Sequence, residues 1–181
     1  CDGHDSGACL LEHGRLTAAV STERFTRRKR QPGFPREAIR WCLERRGLKP
    51  DELDRVAVAE RSGRAIHRGL DARYRRTDPN LPVTRPANLL SMTLQNLLAR
   101  GGITARLDAA AAAKFLRASL GRQGITARPV LVDHHLAHAL SAARGSGVLD
   151  DALVLTMDAF GDGCSGGAWR CPGRRPQQRC R

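Results

Sequence analysis

Two histidines four residues apart, His134 and His138, stand in the run Asp133-His134-His135-Leu136-Ala137-His138. On a helix that spacing puts both imidazoles on one face, one turn apart, close enough to hold a single ion; His135 points elsewhere. The pair alone also fits surface or hydrogen-bonding histidines. A second run, Thr156-Met157-Asp158-Ala159-Phe160-Gly161-Asp162-Gly163-Cys164-Ser165-Gly166-Gly167, follows an apolar stretch. It places Asp158 at the carboxyl end of a strand, where α/β sheets collect ligands. A carboxylate there would complete a two-histidine, one-carboxylate face with positions left open for water or phosphate. Such a set suits iron, manganese or zinc. The glycines after Asp158 would let backbone N–H groups approach an anion, although an ordinary Gly-Asp-Gly turn reads the same way. A third run, Asp2-Gly3-His4-Asp5-Ser6-Gly7, is too polar and glycine-rich for a core. It reads as a tight loop in which His4 could act as a general base or orient a reacting hydroxyl, or as a plain polar turn.

The elements that must carry these residues alternate between strand and helix. Ala8 to Leu11 and Leu16 to Ser21 read as a hairpin joined by Glu12-His13-Gly14-Arg15, with Gly14 free to take positive φ. Glu23 to Phe34 is a charged loop, and Pro35 suits the first turn of a helix that runs to Arg46 and stops at Gly47. Pro50 to Leu53 makes one turn, and Val56 to Ala59 a short buried strand. Residues 61 to 108 are broken by Pro79, Pro82 and Pro86, with a helical stretch at Leu89 to Leu98. Ala109 to Leu120 favours helix by propensity. Pro129 to Val132 then reads as strand, His134 to Ala143 as helix and Ala152 to Met157 as strand. This alternation predicts an α/β layer structure in which the hairpin and the three later strands share one mixed sheet.

Composition bounds the function. The 181 residues fit one domain or one lobe of a larger one, and a hydrophobic fraction of 41% is enough for a packed core. The formal charge is +13, and 28 of the 31 basic residues are arginine. An anionic partner such as a nucleotide or a phosphorylated substrate is consistent with this. Nucleic acid fits less well, because the basic residues are scattered and aromatics make up only 4%. The cysteines, Cys1, Cys9, Cys42, Cys164, Cys171 and Cys180, form no C-x-x-C pair, and no secretory signal precedes them. Reduced thiols in the cytoplasm are therefore expected. No apolar run approaches the length of a membrane span. The chain starts at Cys1 within what reads as a strand end, so both ends are expected to be cut. Residues 171 to 181 hold four Arg, two Pro and two Gln without apolar periodicity; they read as a disordered or out-of-frame tail behind a unit spanning 1 to 170.

Taken in order, several uncommon motifs resemble the amino-terminal part of the O-carbamoyltransferase family that serves nodulation factors and antibiotics. They are Gly3-His4-Asp5-Ser6, Glu23-Arg24-Phe25-Thr26-Arg27-Arg28-Lys29 through Phe34-Pro35, Ala38 to Leu43, Asp133 to Ala139, and Asp158 to Ser165. The resemblance implies a truncated actin-like, sugar-kinase-like (ribonuclease-H-like) lobe, related to enzymes that make threonylcarbamoyl adenosine in tRNA. It implies a divalent metal, commonly iron, on His134, His138 and Asp158, with His4 and Lys29 at active-site positions. Gly3, Asp5, Arg24, Gly161, Asp162 and Gly163 would then face ATP or carbamoyl adenylate. Carbamoyl phosphate would be the donor, and a hydroxyl of a sugar or other natural product the acceptor. The adenylate would form on a carboxyl-terminal domain absent from these residues, which would leave the segment inactive alone. Two other readings stand beside this one: a tRNA threonylcarbamoyl transferase, and a non-catalytic nucleotide-binding fragment.

Overall fold

A computed structural model describes residues 6–29, 31, 33–59, 102–147, 151–162, 164–171 and 177–180. The first unit is a hairpin, β1 (Gly7–Glu12) against β2 (Arg15–Ser21), paired antiparallel from Gly7↔Ser21 to Glu12↔Arg15. Its loop is only His13-Gly14, and both have positive φ (51° and 77°). That geometry matches the right-handed twist of the strands. Helix α1 (Glu23–Thr26) follows within the charged segment, and α2 (Arg36–Arg46) after it. Gly47, at φ 65°, ends α2 by donating its N–H to the Leu43 and Glu44 carbonyls. Leu10, Ala18 and Cys42 are buried together, with Ala8, Val20, Trp41, Leu48 and Leu53 packed around them. One face of the hairpin thus meets the apolar stripe of α2, as strand and helix periodicity require.

A 3₁₀ turn (Pro50–Glu52) leads to β3 (Val56–Val58), which pairs in parallel with β4 (Pro129–Leu131). Helix α3 (Gly102–Gly121) starts earlier than propensity alone indicates and packs on β4. It buries Ala112, Leu116 and Leu120, one residue per turn. Among the described residues no helix is long and apolar enough to cross a membrane. The helix expected at 89 to 98 lies outside the described residues.

The last unit carries the candidate chemistry. Helix α4 (His134–Gly145) packs on β5 (Ala152–Gly161) and β6 (Cys164–Cys171), which pair antiparallel, and β7 (Gln177–Cys180) adds to β6. Three expectations change here. The strands expected in one mixed sheet form three sheets among the described residues, β1–β2, β3–β4 and β5–β6–β7. Alternating strand and helix signals fix the class of layer structure but not which strands share hydrogen bonds. Asp158 is not at a strand's end, because β5 continues to Gly161. The segment from residue 171 is not simply unpacked: Cys171 is fully buried in β6 and Gln177–Cys180 pair beside it. A strand added at a sheet edge is held by backbone hydrogen bonds, which need no apolar period in the side chains.

Candidate metal centre

Asp133 opens α4 as its N-cap, its Oδ1 accepting from the Leu136 N–H at 3.0 Å. From the turn between β5 and β6, Asp162 Oδ2 accepts from the His134 N–H at 2.7 Å. Two carboxylates therefore satisfy amide donors at the positive end of the helix dipole and fix where the first turn begins. His134 and His138 then rise on one face, as their spacing predicts. On β5, regular pairing stops at Met157 and resumes at Gly161↔Cys164, so Asp158 lies in the irregular stretch. It shares a strand face with Thr156 and turns toward α4.

These three side chains meet. His134 Nε2 lies 2.7 Å from Asp158 Oδ2, His138 Nε2 lies 3.5 Å from the same oxygen, and the two Nε2 atoms are 3.1 Å apart. The candidate ligand atoms all fall within 4.8 Å of one another. Metal bonds of ~2.0–2.2 Å to nitrogen and oxygen imply ligand-to-ligand edges of about 3.0 Å in an octahedron and about 3.4 Å in a tetrahedron. The observed separations of 2.7, 3.1 and 3.5 Å lie around that range, so the spacing of the donor set is compatible with a divalent cation. The His134 and Asp158 side chains are 26% and 31% exposed, whereas His138 is 54% exposed. The cluster thus has a packed side and an open side, where further ligands can approach.

His135 does face away from the cluster, but into the core, at 2% exposure. Its Nδ1 lies 3.1 Å from Thr156 Oγ1 and its Nε2 3.1 Å from the Cys164 carbonyl oxygen. Trp169 Nε1 donates to the same hydroxyl at 3.2 Å. The far side of His135 therefore holds polar partners rather than solvent. Thr156 and Trp169 escaped the sequence reading. The available signal was Thr156 itself, a polar residue two positions before Asp158 in an otherwise apolar strand.

The other candidates are placed as follows. Gly161 pairs with Cys164 and, with Asp162 at φ 49°, makes a tight hairpin turn, the carboxylate engaged on α4. Gly166 is paired with Met157, and a Cβ on it would stand 2.6 Å from the Thr156 carbonyl oxygen. Close strand approach therefore requires this glycine. Arg24 is exposed on α1 and lies 4.0 Å from Glu23; Lys29 is exposed beyond it. Gly3, His4, Asp5 and Gly163 lie outside the described residues.

An α/β chain in which one helix and one strand bring two histidines and an aspartate within 4.8 Å of one another defines a candidate site class, not yet a family. Comparison narrows the class. The chain belongs to the carbamoyltransferase N-terminus family, whose pattern matches residues 2–174, beyond Arg170 where the motifs alone were expected to end. It is 31% identical over 163 residues to nodulation protein NolNO of Sinorhizobium fredii, covering 90% of this chain and 20% of that protein. It is also 31% identical over 174 residues to an uncharacterized protein of Synechocystis, covering 95% of this chain and 26% of that one. A 58-residue stretch is 41% identical to an uncharacterized protein of Methanocaldococcus jannaschii, covering 32% of this chain and 11% of that protein. The chain spans about a fifth to a quarter of the first two relatives' length.

Proposed function

We propose that this chain is the amino-terminal, actin-like lobe of an ATP-dependent O-carbamoyltransferase, and that a divalent cation, iron by family preference, is held by His134, His138 and Asp158. The observation that carries the reading is the convergence of those three side chains within bonding range of one ion, in a chain of the carbamoyltransferase N-terminus family. The reaction moves a carbamoyl group from carbamoyl adenylate to a hydroxyl of a sugar or other natural product. The hydroxyl oxygen bonds the carbamoyl carbon, the bond from that carbon to the phosphate oxygen breaks, and AMP leaves. The hydroxyl proton goes to His4 as general base. The bound cation supplies positive charge against the phosphate of the adenylate. Lys29 and Arg24 add charge from the segment after β2, and Gly3, Asp5, Gly161, Asp162 and Gly163 border the nucleotide. Charge opposite the leaving group is what this step needs most, because a phosphate departs better once its developing negative charge is matched.

The test uses the full-length protein with carbamoyl phosphate, ATP and a hydroxyl acceptor. In His138→Ala, pyrophosphate release should persist while carbamoylated acceptor is lost, since adenylate formation belongs to the other domain. Full transfer by that variant would sink the metal role. The net charge of +13 favours one alternative, a threonylcarbamoyl transfer to tRNA, and product analysis with tRNA as acceptor separates the two.

A further inference from the structure

We infer that His135 and Thr156 are positioning residues that set the geometry of the metal cluster, an inference that rests on the metal reading above. His135 lies next to His134 in the first turn of α4, and Thr156 lies two residues before Asp158 on the same face of β5. A contact between His135 and Thr156 therefore fixes the same helix-to-strand spacing that brings His134 within 2.7 Å of Asp158. The bond from His135 Nε2 to the Cys164 carbonyl adds a second anchor, on β6. A carbonyl only accepts, so Nε2 carries a proton. Two anchors on one ring hold α4 against rotation about its axis. Rotation of the helix would carry the His134 and His138 imidazoles away from Asp158, since both stand on α4 while the carboxylate stands on β5.

Thr156 is held in turn. Trp169 Nε1 can only donate, so the hydroxyl oxygen accepts from it at 3.2 Å. The hydroxyl has a single proton, which goes to His135 Nδ1 at 3.1 Å rather than to the Gly167 carbonyl at 3.3 Å, because the other ring nitrogen already carries the imidazole proton. Thr156 and His135 are both buried, at 6% and 2% exposure, so water does not compete for these bonds. A buried polar group confined by fixed partners has one low-energy orientation, which is what a positioning role requires. Neither side chain reaches the cation's place itself. Both act through α4 and β5.

The experiment compares wild type, Thr156→Val, Thr156→Ser and His138→Ala in the full-length chain. Each is titrated with Co²⁺, followed by its visible ligand-field absorption, alongside circular dichroism and thermal melting. Thr156→Val keeps the side chain's shape and removes only the hydroxyl. It should weaken Co²⁺ binding by about 10-fold, the low end of the range for groups bonded directly to metal ligands, because Thr156 acts through α4 and β5, and shift the absorption bands at temperatures where it is fully folded. Thr156→Ser should restore both. His135→Gln, which keeps a donor toward Cys164, serves as a second variant should Thr156→Val fail to fold, and should show an intermediate loss of affinity. A folded Thr156→Val or His135→Gln with wild-type affinity and bands, while His138→Ala loses the metal, overturns the positioning role and leaves the metal reading standing. Wild-type binding by His138→Ala overturns both.

Discussion

An imidazole enclosed on all sides with both nitrogens bonded loses more on truncation than one open to water. His135 is 2% exposed and bonded through both nitrogens, whereas the His138 side chain is half in solvent. His135→Ala strands the Cys164 carbonyl and leaves a cavity beside Thr156. Unsatisfied buried groups of this kind cost about 1–3 kcal/mol, before the cavity is counted. For a chain of this size each kcal/mol moves a thermal midpoint by about 2–4 °C. The expected result in metal-free buffer is a clear drop in melting temperature for His135→Ala and little change for His138→Ala; an equal drop in both would contradict the burial argument. The helical period made the opposite directions of His134 and His135 legible in the sequence. It could not show what lay on the far side, because Thr156 is supplied by a strand 21 residues further along.

The β5–β6 hairpin shows what one element can and cannot reveal of itself. The apolar run from Ala152 was readable as strand, but its extent was not, since the Gly-rich segment reads equally as loop. Gly166 resolves this: it faces the Thr156 carbonyl so closely that no Cβ fits. Gly166→Ala should push β5 from β6 at the point where Thr156 and Asp158 are set, and overpacking of this kind costs about 1–3 kcal/mol. Thermal unfolding of the variant should show that loss, and an unchanged midpoint would mean the strands separate freely. The same hairpin is clamped near its open end by Arg170, whose Nε and Nη2 donate to the Asp151 carboxylate at 2.7 and 3.0 Å. These hydrogen bonds, and then the guanidinium charge, hold the Asp151 carboxyl below its ordinary value. A depressed carboxyl stabilises the fold above its unfolded value and loses that contribution as pH falls through its folded one. Asp151→Asn should therefore differ from wild type at neutral pH, with the gap closing in acid and shrinking in high salt because the pair is exposed. A gap that widens in acid would reverse the sign.

At the scale of the molecule, the order of strands and helices was legible and the joining of strands into sheets was not. Hairpins announce themselves locally through a turn such as His13-Gly14, whereas β3 and β4 pair across about seventy residues by contacts that leave no local pattern. The candidate cluster crosses such a gap too, with two ligands from α4 and one from β5. A cation bound there would tie helix to sheet in the folded chain and find no preformed site in the unfolded one. Ligand that binds only the native state at about 100 times its dissociation constant adds about 2.7 kcal/mol of stability. At this chain length that is about 5–11 °C in the melting midpoint. Mn²⁺ is the suitable probe, since it favours oxygen and nitrogen donors and has little affinity for the thiols an unfolded chain exposes. The chain's charge of +13 opposes general accumulation of cations, so a rise in midpoint reports a specific site. The expected outcome is a Mn²⁺-dependent rise in wild type that His138→Ala and Asp158→Asn each reduce and chelator reverses. Thr17→Ala, on the β1–β2 hairpin, should retain the rise whatever it does to the starting midpoint. A rise of the same size in His138→Ala would place the bound metal elsewhere in the chain.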